Sequence, residues 1–227
     1  MRLDLEISDA LLEKLRAEAA ARGQDLNDYV VAKLARSLAL THTALLVIDL
    51  QRGAFDGVRC PAVDSPERLF QNASTLIEAA RAGGHVVVFI QHCEGEGAPF
   101  EKGTDHWRLH ESLVPLPGES AVQKKAASAF KDTDLSALLD ARGIRNLILC
   151  GLQSEYCVSS TAQAALELGY GVRIASDGHG TWPENGQTAA EIENEVNLRL
   201  ASLGALMAAT EDLSAALRLG HGPALSS

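Results

Sequence analysis

The sequence predicts an α/β fold: a three-layer α/β/α arrangement on a doubly wound, mostly parallel sheet of about six strands, preceded by a small strand-helix-helix module. Three observations support this prediction. Short, continuous apolar runs, typical of strands buried on both faces, alternate with apolar stripes at helical spacing. Gly and Pro separate the runs from the stripes. Hydrophobic residues make up 46% of the chain and aromatic residues only 4%, which allows a sizeable core but disfavours a β-sandwich.

The pattern changes near residue 40 and so divides the chain into two predicted domains. Residues 1–40 form the small module, and residues 41–227 form the main domain. At the start of the module, Leu3, Leu5 and Ile7 alternate with charged residues, which is typical of a short strand with one dry face.

Two helices are predicted to follow this strand. Ser8 or Asp9 can cap the first, which ends near Gly23, and Asp25 can cap the second. A strand and two helices of this length are too small to bury a core alone, so we expect the module to pack against a second copy of itself.

The order strand, helix, helix resembles the ribbon-helix-helix family, whose members dimerise by pairing their N-terminal strands and read DNA with the outward strand face. The outward positions are Arg2, Asp4 and Glu6, and two acidic residues facing phosphates would repel DNA. We therefore interpret residues 1–40 as a dimerisation module of a homodimer or higher homo-oligomer, and we do not expect nucleic acid as a partner. The alternative is a ligand-sensing DNA-binding regulator in which the main domain is the sensor.

In the main domain, predicted strands alternate with predicted helices. The strands are centred on residues 44–48, 86–90, 121–122, 147–150, 172–175 and 206–209. The helices follow apolar stripes over residues 69–80, 135–139, 158–168 and 188–203. Gly83-Gly84 and Gly143 end two of them. This alternation indicates a parallel sheet with helices on both faces.

A long segment without strand or helix periodicity, residues 91–118, follows the second predicted strand. It concentrates histidine, tryptophan and proline residues, namely His92, Pro99, His106, Trp107, His110 and Pro115. A structureless segment of this length is usually functional, often as a lid or a pocket wall. We therefore expect it to border a binding pocket.

Cys157 follows the fourth predicted strand, the break at Gly151 and a short polar turn, and it lies at or near the first turn of the next helix. A thiol at this place meets the positive end of the helix dipole and free backbone N–H groups, which favour the thiolate. The alternative is that Cys157 is an ordinary buried cysteine.

Reactive side chains converge on one edge of the predicted sheet. Asp49, His92, Lys124 and Cys157 all lie at or just beyond the carboxyl ends of predicted strands. Ligands bind at that edge of parallel sheets, so the four residues predict a functional site.

Three stretches, residues 46–51, 124–130 and 151–158, resemble the isochorismatase-like cysteine hydrolases, the superfamily that includes nicotinamidases and related amidases. The resemblance covers about residues 42–213. It implies a hydrolase whose catalytic residues are Asp49, Lys124 and Cys157.

The resemblance also implies a role for each residue. Lys124 would stabilise the thiolate by its charge. Asp49 would accept the thiol proton, return it to the leaving amine and then activate water. The backbone N–H groups of Gln153 and Cys157 would form the oxyanion hole, with a cis peptide bond between Leu152 and Gln153.

One departure from the family's pattern concerns the metal. Nicotinamidases of the family carry an Asp-x-His sequence and a further His after the second strand, and these bind a metal that holds the pyridine nitrogen. Residues 91–95 read Gln-His-Cys-Glu-Gly here, so we predict no metal, no other cofactor and a substrate other than nicotinamide. Isochorismatases that cleave a vinyl ether lack the cysteine. Cys157 therefore favours hydrolysis of a C–N, amide-like bond in a small molecule.

Residues 103–110 and 177–182 resemble the subgroup that contains streptothricin hydrolase and other amidases. The predicted substrate-binding residues are Phe55, His92, Trp107 and Trp182. Packing or loop anchoring is the equal alternative for each, since large aromatic rings bury well anywhere.

Charge and cysteine usage limit the remaining classes. The net charge of -10 argues against a nucleic-acid surface. The four cysteines, Cys60, Cys93, Cys150 and Cys157, show no zinc-ligand spacing, so we expect reduced thiols. The start of the chain lacks a signal-peptide pattern and no stretch is apolar enough to span a membrane, which predicts a cytoplasmic protein without a membrane partner. A third possible function, besides the hydrolase and the regulator, is a scaffold with an inert site. The intact Asp49, Lys124 and Cys157 count against it.

Overall fold

The computed structural model describes residues 8–219, apart from the side chains of residues 32 and 34–39. The predicted N-terminal strand lies outside the described residues, and so do the outward positions that would face DNA. The chain divides into two compact units, Met1–Ala39 and Leu40–Ser227.

The first unit contains two helices, α1 (Asp9–Ala21) and α2 (Leu26–Ala39). Ser8 caps α1, since its hydroxyl oxygen accepts the N–H of Leu11 at 3.3 Å. The Asp25 carboxylate accepts two N–H groups in the first turn of α2. Both helix starts are therefore specified by the side chains that the sequence pattern indicates. The small core of this unit consists of Leu15, Ala19 and Tyr29, with Leu26 and Val30 packed against them.

The second unit is built on a sheet of six strands, all parallel within the described residues. The strands are β1 (Thr43–Ile48), β2 (Val86–His92), β3 (Ser120–Lys124), β4 (Asn146–Leu152), β5 (Gly171–Gly180) and β6 (Leu206–Ala208). Their order in space is β3-β2-β1-β4-β5-β6, so the chain winds outward from β1 in both directions. The predicted doubly wound α/β fold is confirmed.

Helices cover both faces of this sheet. They are α3 (Pro66–Ala82), α4 (Leu135–Ala141), α5 (Ser159–Glu167), α6 (Ala189–Ser202) and α7 (Thr210–Leu219). Leu45 and Val47 of β1 pack with α3 and α7, whereas Leu46 and Ile48 pack with α4, α5 and α6. Because β1 is buried on both faces, its run is continuously apolar, and each such side chain contributes about 1.5–3 kcal/mol by leaving water. Of the helices in the described part of the chain, none is long and apolar enough to cross a bilayer.

The structure differs from the sequence prediction at its C-terminal end. β5 extends to Gly180, beyond the apolar run at residues 172–175, and α7 is not predicted. The two differences are linked, because the Asp177 carboxylate accepts both the N–H and the hydroxyl of Thr210 at 2.8 Å, where α7 begins. Backbone pairing and a tertiary cap specify these elements, and neither leaves a periodic apolar pattern.

The segment after β2 is held in place by the buried side chain of Gln51. Its amide nitrogen donates to the carbonyl oxygens of His92 at 3.0 Å and Trp107 at 2.8 Å. Its amide oxygen accepts the N–H of His92 at 2.8 Å. The segment is thereby fastened to the carboxyl end of β1.

Candidate active site

Four neighbouring strands deliver the candidate site to one edge of the sheet. Asp49 directly follows β1, His92 ends β2 and Lys124 ends β3, with His92 and Lys124 paired in register. The turn that carries Cys157 follows β4, which neighbours β1 on its other side. The structure therefore brings together the four residues that the sequence places at strand ends.

Lys124 lies at the centre of this group. Its ammonium nitrogen is 2.7 Å from Asp49 Oδ2, 3.0 Å from Cys157 Sγ and 3.1 Å from His92 Nδ1. The Lys124 side chain is 0% exposed and that of Asp49 is 3% exposed. An ion pair removed from water in this way is weakly screened, and each partner depends on the other to remain charged.

Asp49 has an unusual backbone conformation, with a φ of 53° in the left-handed region. Its N–H donates to the carbonyl oxygen of Ile90 at 3.0 Å. Asp49 Oδ2 is paired with Lys124, but Oδ1 is buried and has no hydrogen-bond partner among the described residues. The carboxylate therefore retains an open acceptor.

Cys157 lies in a π-helical turn, Ser154–Val158, that joins β4 to α5. The strand reaches this turn through Gly151, whose φ is 119° and where a Cβ would lie 2.0 Å from the carbonyl oxygen of Ile48. Only glycine fits so close to β1. The peptide bond between Leu152 and Gln153 is cis, as the resemblance implies.

The start of the Cys157 turn is anchored by a buried polar chain. Asn197 donates its amide N–H to the carbonyl oxygen of Ser176 at 3.0 Å, so its oxygen accepts from Nε2 of His179 at 2.9 Å. Burial lowers the pKa of His179, which favours the neutral imidazole. In that form Nδ1 is an acceptor, and the hydroxyl of Ser154 donates to it at 2.8 Å.

The electrostatics at Cys157 are opposite to the sequence expectation. Burial, followed by the charge of Asp49, raises the pKa of Cys157 to about 12, although Lys124 acts in the other direction. The predicted bias toward thiolate is therefore wrong for the resting site. Burial and a carboxylate within 4.8 Å of the sulfur outweigh the cation and the helix terminus.

The partners of the thiol also have shifted pKa values. Burial raises the pKa of Asp49, against the lowering effect of Lys124. Burial acts to lower the pKa of Lys124, but the charges of Asp49 and Cys157 outweigh it, so the pKa is raised and the ammonium form persists. Burial and the Lys124 charge lower the pKa of His92. The shifts therefore favour an ammonium at Lys124, a neutral imidazole at His92 and a thiol at Cys157 in the resting site.

A cavity of about 300 Å³ opens on this group. It is lined by Asp49, His92, Glu94, Phe100, Ala127, Leu152, Gln153, Tyr156, Cys157 and Trp182. Of the predicted substrate-binding residues, His92 and Trp182 line it. Sequence reasoning missed Glu94, Phe100 and Tyr156, because residues in a loop or an irregular turn carry no periodicity that would indicate their direction.

Phe55 and Trp107, the other two predicted substrate-binding residues, lie elsewhere. Phe55 packs edge-on against the His110 ring, with ring centres 5.5 Å apart, and contacts the core. The Trp107 indole N–H donates to Cys93 Sγ at 3.3 Å. Neither residue lines the cavity, so both match the alternative of loop anchoring.

Asp49, His92 and Cys157 offer ligand atoms within 4.8 Å of one another, a set that could hold a metal ion. The ammonium nitrogen of Lys124, however, lies within 3.1 Å of an atom of each. A metal ion bound by all three residues would meet this cation, so the set does not fit a metal while Lys124 occupies its centre. The four cysteines, all within the described residues, are free thiols.

Residues 43–202 match the isochorismatase domain family. A streptothricin hydrolase from Streptomyces noursei is 40% identical over 139 residues, which are 61% of this chain and 50% of that protein. The chain thus spans about half the length of that relative. A ureidoacrylate amidohydrolase from an Enterobacter species is 30% identical over 189 residues, covering 68% of this chain and 82% of that protein. The crystal structure of an isochorismatase-like hydrolase from Alkaliphilus metalliredigens has a TM-score of 0.68 and 28% identity, covering 77% of this chain and 98% of that chain.

Proposed function

The chain belongs to the isochorismatase family, and on that premise we propose that it is a cysteine hydrolase that cleaves an amide-like C–N bond of a small molecule. The catalytic residues are Asp49, Lys124 and Cys157, and the intermediate is a thioacyl enzyme. The observation that carries the proposal is the position of Lys124 Nζ, at 2.7 Å from the carboxylate and 3.0 Å from the sulfur. When the thiol proton moves to Asp49, the negative charge moves from the carboxylate oxygen to the sulfur, and the Lys124 ammonium group neighbours both atoms.

In the acylation step, the thiol of Cys157 transfers its proton to Asp49 while the sulfur attacks the carbonyl carbon. The raised pKa of Asp49 makes it a stronger base than an exposed carboxylate. Once Asp49 is neutral, it no longer opposes the thiolate, whereas Lys124 still stabilises it. Asp49 then gives the proton to the leaving nitrogen, the C–N bond breaks, and ammonia or an amine departs from a thioester.

In the deacylation step, Asp49 accepts a proton from water as the oxygen attacks the thioester. The carboxylic acid leaves, and the proton returns to the sulfur. The backbone N–H groups of Gln153 and Cys157, two residues that line the cavity, are the proposed donors to the tetrahedral oxygen. Each such donor contributes about 3 kcal/mol to transition-state stabilisation. Relatives that are named streptothricin hydrolase and ureidoacrylate amidohydrolase support this reaction class.

The test is release of ammonia or amine from a panel of small amides, followed by acid quenching and peptide mass spectrometry. We expect turnover and an acyl mass on the Cys157 peptide, both absent in Cys157→Ala. Lys124→Met should lower kcat by roughly 10³-fold, since the thiolate loses its cation. Lys125→Met is the matched control, because Lys125 is exposed, and it should retain activity. Acylation of another residue, or equal effects of the two lysine variants, would overturn the proposal.

For residues 1–40 the proposal remains dimerisation, in keeping with the sequence pattern. Sedimentation of the full chain should give at least a dimer, and Leu5→Asp should shift the population toward monomer, because a charge would lie on the dry face of the predicted strand. A monomeric wild-type chain would contradict this role.

A further inference from the structure

A second cavity of about 550 Å³ lies beside the catalytic one. The two cavities share four lining residues, Glu94, Phe100, Gln153 and Trp182. We call the cavity at Cys157 the inner cavity and the second one, which also contacts Cys60 and Asp64, the outer cavity. A substrate whose scissile bond is at Cys157 therefore has space for a further group in the outer cavity.

The inner cavity already contains a feature that points to a ligand. Asp49 lines it, is 2% exposed and leaves Oδ1 without a hydrogen-bond partner among the described residues. A buried polar atom without a partner is unfavourable, and a bound group that donates a hydrogen bond to it would remove that cost.

The charged residues that line the outer cavity are acidic. Glu94 stands at the junction of the two cavities, and Asp64 lines the outer one. Among the described residues that line either cavity, none is Lys or Arg. The charge of Lys124 is paired with Asp49, and that of Arg59, next to Cys60 in the chain, is paired with Glu101 at 2.8 Å. The charges of Glu94 and Asp64 are thus not neutralised by a Lys or Arg that lines the cavities, and they can act on a group bound in the outer cavity.

Glu94 is held in a defined position. Its Oε2 accepts the N–H of Phe100 at 2.7 Å, and its Oε1 lies 3.9 Å from Nε2 of His92. The side chain is 30% exposed, so the carboxylate can still meet a ligand. A fixed, partly desolvated carboxylate attracts a cation more strongly than a mobile surface group does.

Two aromatic side chains share this junction. Phe100 and Trp182 line both cavities, and the Trp182 indole N–H donates to the carbonyl oxygen of Pro61 at 2.7 Å, which fixes its ring. Aromatic rings attract ammonium and guanidinium groups through the negative potential of their faces. The aromatic and acidic residues therefore favour the same class of group.

We infer that the substrate of the proposed hydrolase carries a positively charged amino or guanidino group remote from its scissile bond, and that Glu94 and Asp64 select this group. The inference rests on the proposed function for the identity of the reaction. The charge preference of the two cavities, however, can be measured without any turnover.

The test uses methanethiosulfonate reagents of different charge, which convert a thiol to a mixed disulfide and release a sulfinate. The cationic 2-aminoethyl, the neutral methyl and the anionic 2-sulfonatoethyl reagents are compared at Cys157. Each rate is divided by the rate of the same reagent with free 2-mercaptoethanol. Peptide mass spectrometry with fragmentation separates Cys157 from Cys60, Cys93 and Cys150.

We expect Glu94→Gln and Asp64→Asn each to lower the cationic-to-anionic rate ratio by about threefold, and the double variant to lower it by about tenfold. Lys124 and Asp49 are present in every variant, so their influence cancels in this comparison. The matched control is Glu96→Gln, an exposed acid in the same segment that lines neither cavity, and it should leave the ratio unchanged. A ratio within twofold of wild type in the double variant would overturn the inference.

A second arm compares three amides of equal chain length: 5-aminovaleramide, hexanamide and adipamic acid. We expect the cationic amide to have the highest kcat/KM, and Glu94→Gln to lower the ratio of kcat/KM for the cationic amide to that for hexanamide about tenfold. Preference for the neutral or anionic amide would overturn the inference and leave the proposed hydrolase standing. The expected fall of the labelling ratio in the double variant, without hydrolysis of any amide, would overturn the proposed function and leave the cation preference of the cavities standing.

Discussion

The ammonium nitrogen of Lys124 lies 3.0 Å from the sulfur of Cys157, yet the pKa of that thiol is raised to about 12. Burial and the negative charge of Asp49 outweigh the neighbouring cation. In the proposed mechanism the thiol therefore stays protonated beside Asp49, and the thiolate forms only when the proton moves to that residue. A protonated thiol reacts more slowly than a thiolate, so the proposal makes Asp49 the group that controls the reactivity of Cys157.

Replacing Asp49 should separate thiol reactivity from catalysis. Burial and then the charge of Asp49 raise the thiol pKa. Asp49→Asn removes that charge and leaves Lys124 beside the sulfur, so the pKa of Cys157 should fall. We expect iodoacetamide to alkylate Cys157 about tenfold faster than in wild type near neutral pH, while amide hydrolysis is lost with the general base. Alkylation slower than in wild type would show that Asp49 does not oppose the thiolate.

The raised thiol pKa also predicts how stability changes at alkaline pH. A group whose folded pKa lies above its unfolded value of 9.0 contributes stability below pH 9.0, and this contribution is lost as pH rises toward its folded value of about 12. From about pH 8 to about pH 10, the free energy of unfolding of wild type should fall about 1 kcal/mol more than that of Cys157→Ser. Urea unfolding of both proteins across this range measures the difference. An equal change with pH in the free energy of unfolding of the two proteins would contradict the raised pKa of Cys157.

The buried chain from Ser154 to Asn197 should position the nucleophile turn. Ser154→Ala leaves Nδ1 of His179 without its donor, at a cost of about 1–3 kcal/mol in the free energy of unfolding. If the chain holds Cys157 in place, kcat should also fall about tenfold with KM within twofold, because ground-state binding does not depend on the sulfur's exact position. Ser202→Ala, at an exposed serine, is the control for both measurements. Loss of stability with unchanged kcat would assign the chain a structural role alone.

Gly151 should tolerate no side chain. Its φ of 119° and the 2.0 Å distance from a Cβ to the carbonyl oxygen of Ile48 would force β4 away from β1. We expect Gly151→Ala to lower the free energy of unfolding by at least about 3 kcal/mol. Gly95→Ala is the matched control, since a Cβ there meets nothing within 4 Å. Similar denaturation midpoints for the two variants would contradict the proposed crowding.

Much of the sheet is evident in the chain because its signals are local. The run Ala44–Ile48 is continuously apolar since both faces of β1 are covered, and glycine marks the ends of several elements. Strand polarity then has a geometric consequence. Residues that follow parallel strands must meet at one edge, which is how Asp49, Lys124 and Cys157 could be grouped before their distances were known. The extension of β5 and the helix α7 escaped prediction because backbone pairing and the contact of Asp177 with Thr210 specify them.

The sequence alone therefore determined the α/β class and the approximate positions of the six sheet strands, because apolar periodicity and chain order carry that information. It also proposed Cys157 as the nucleophile. Only the tertiary structure gave the direction of the pKa shift of Cys157 and the lining of the cavities. The thiol pKa depends on burial and on angstrom-scale distances to two opposite charges, and a chain pattern contains neither. The direction of a loop side chain is likewise set by packing, which turned Phe55 and Trp107 away from the cavity and Glu94, Phe100 and Trp182 toward it.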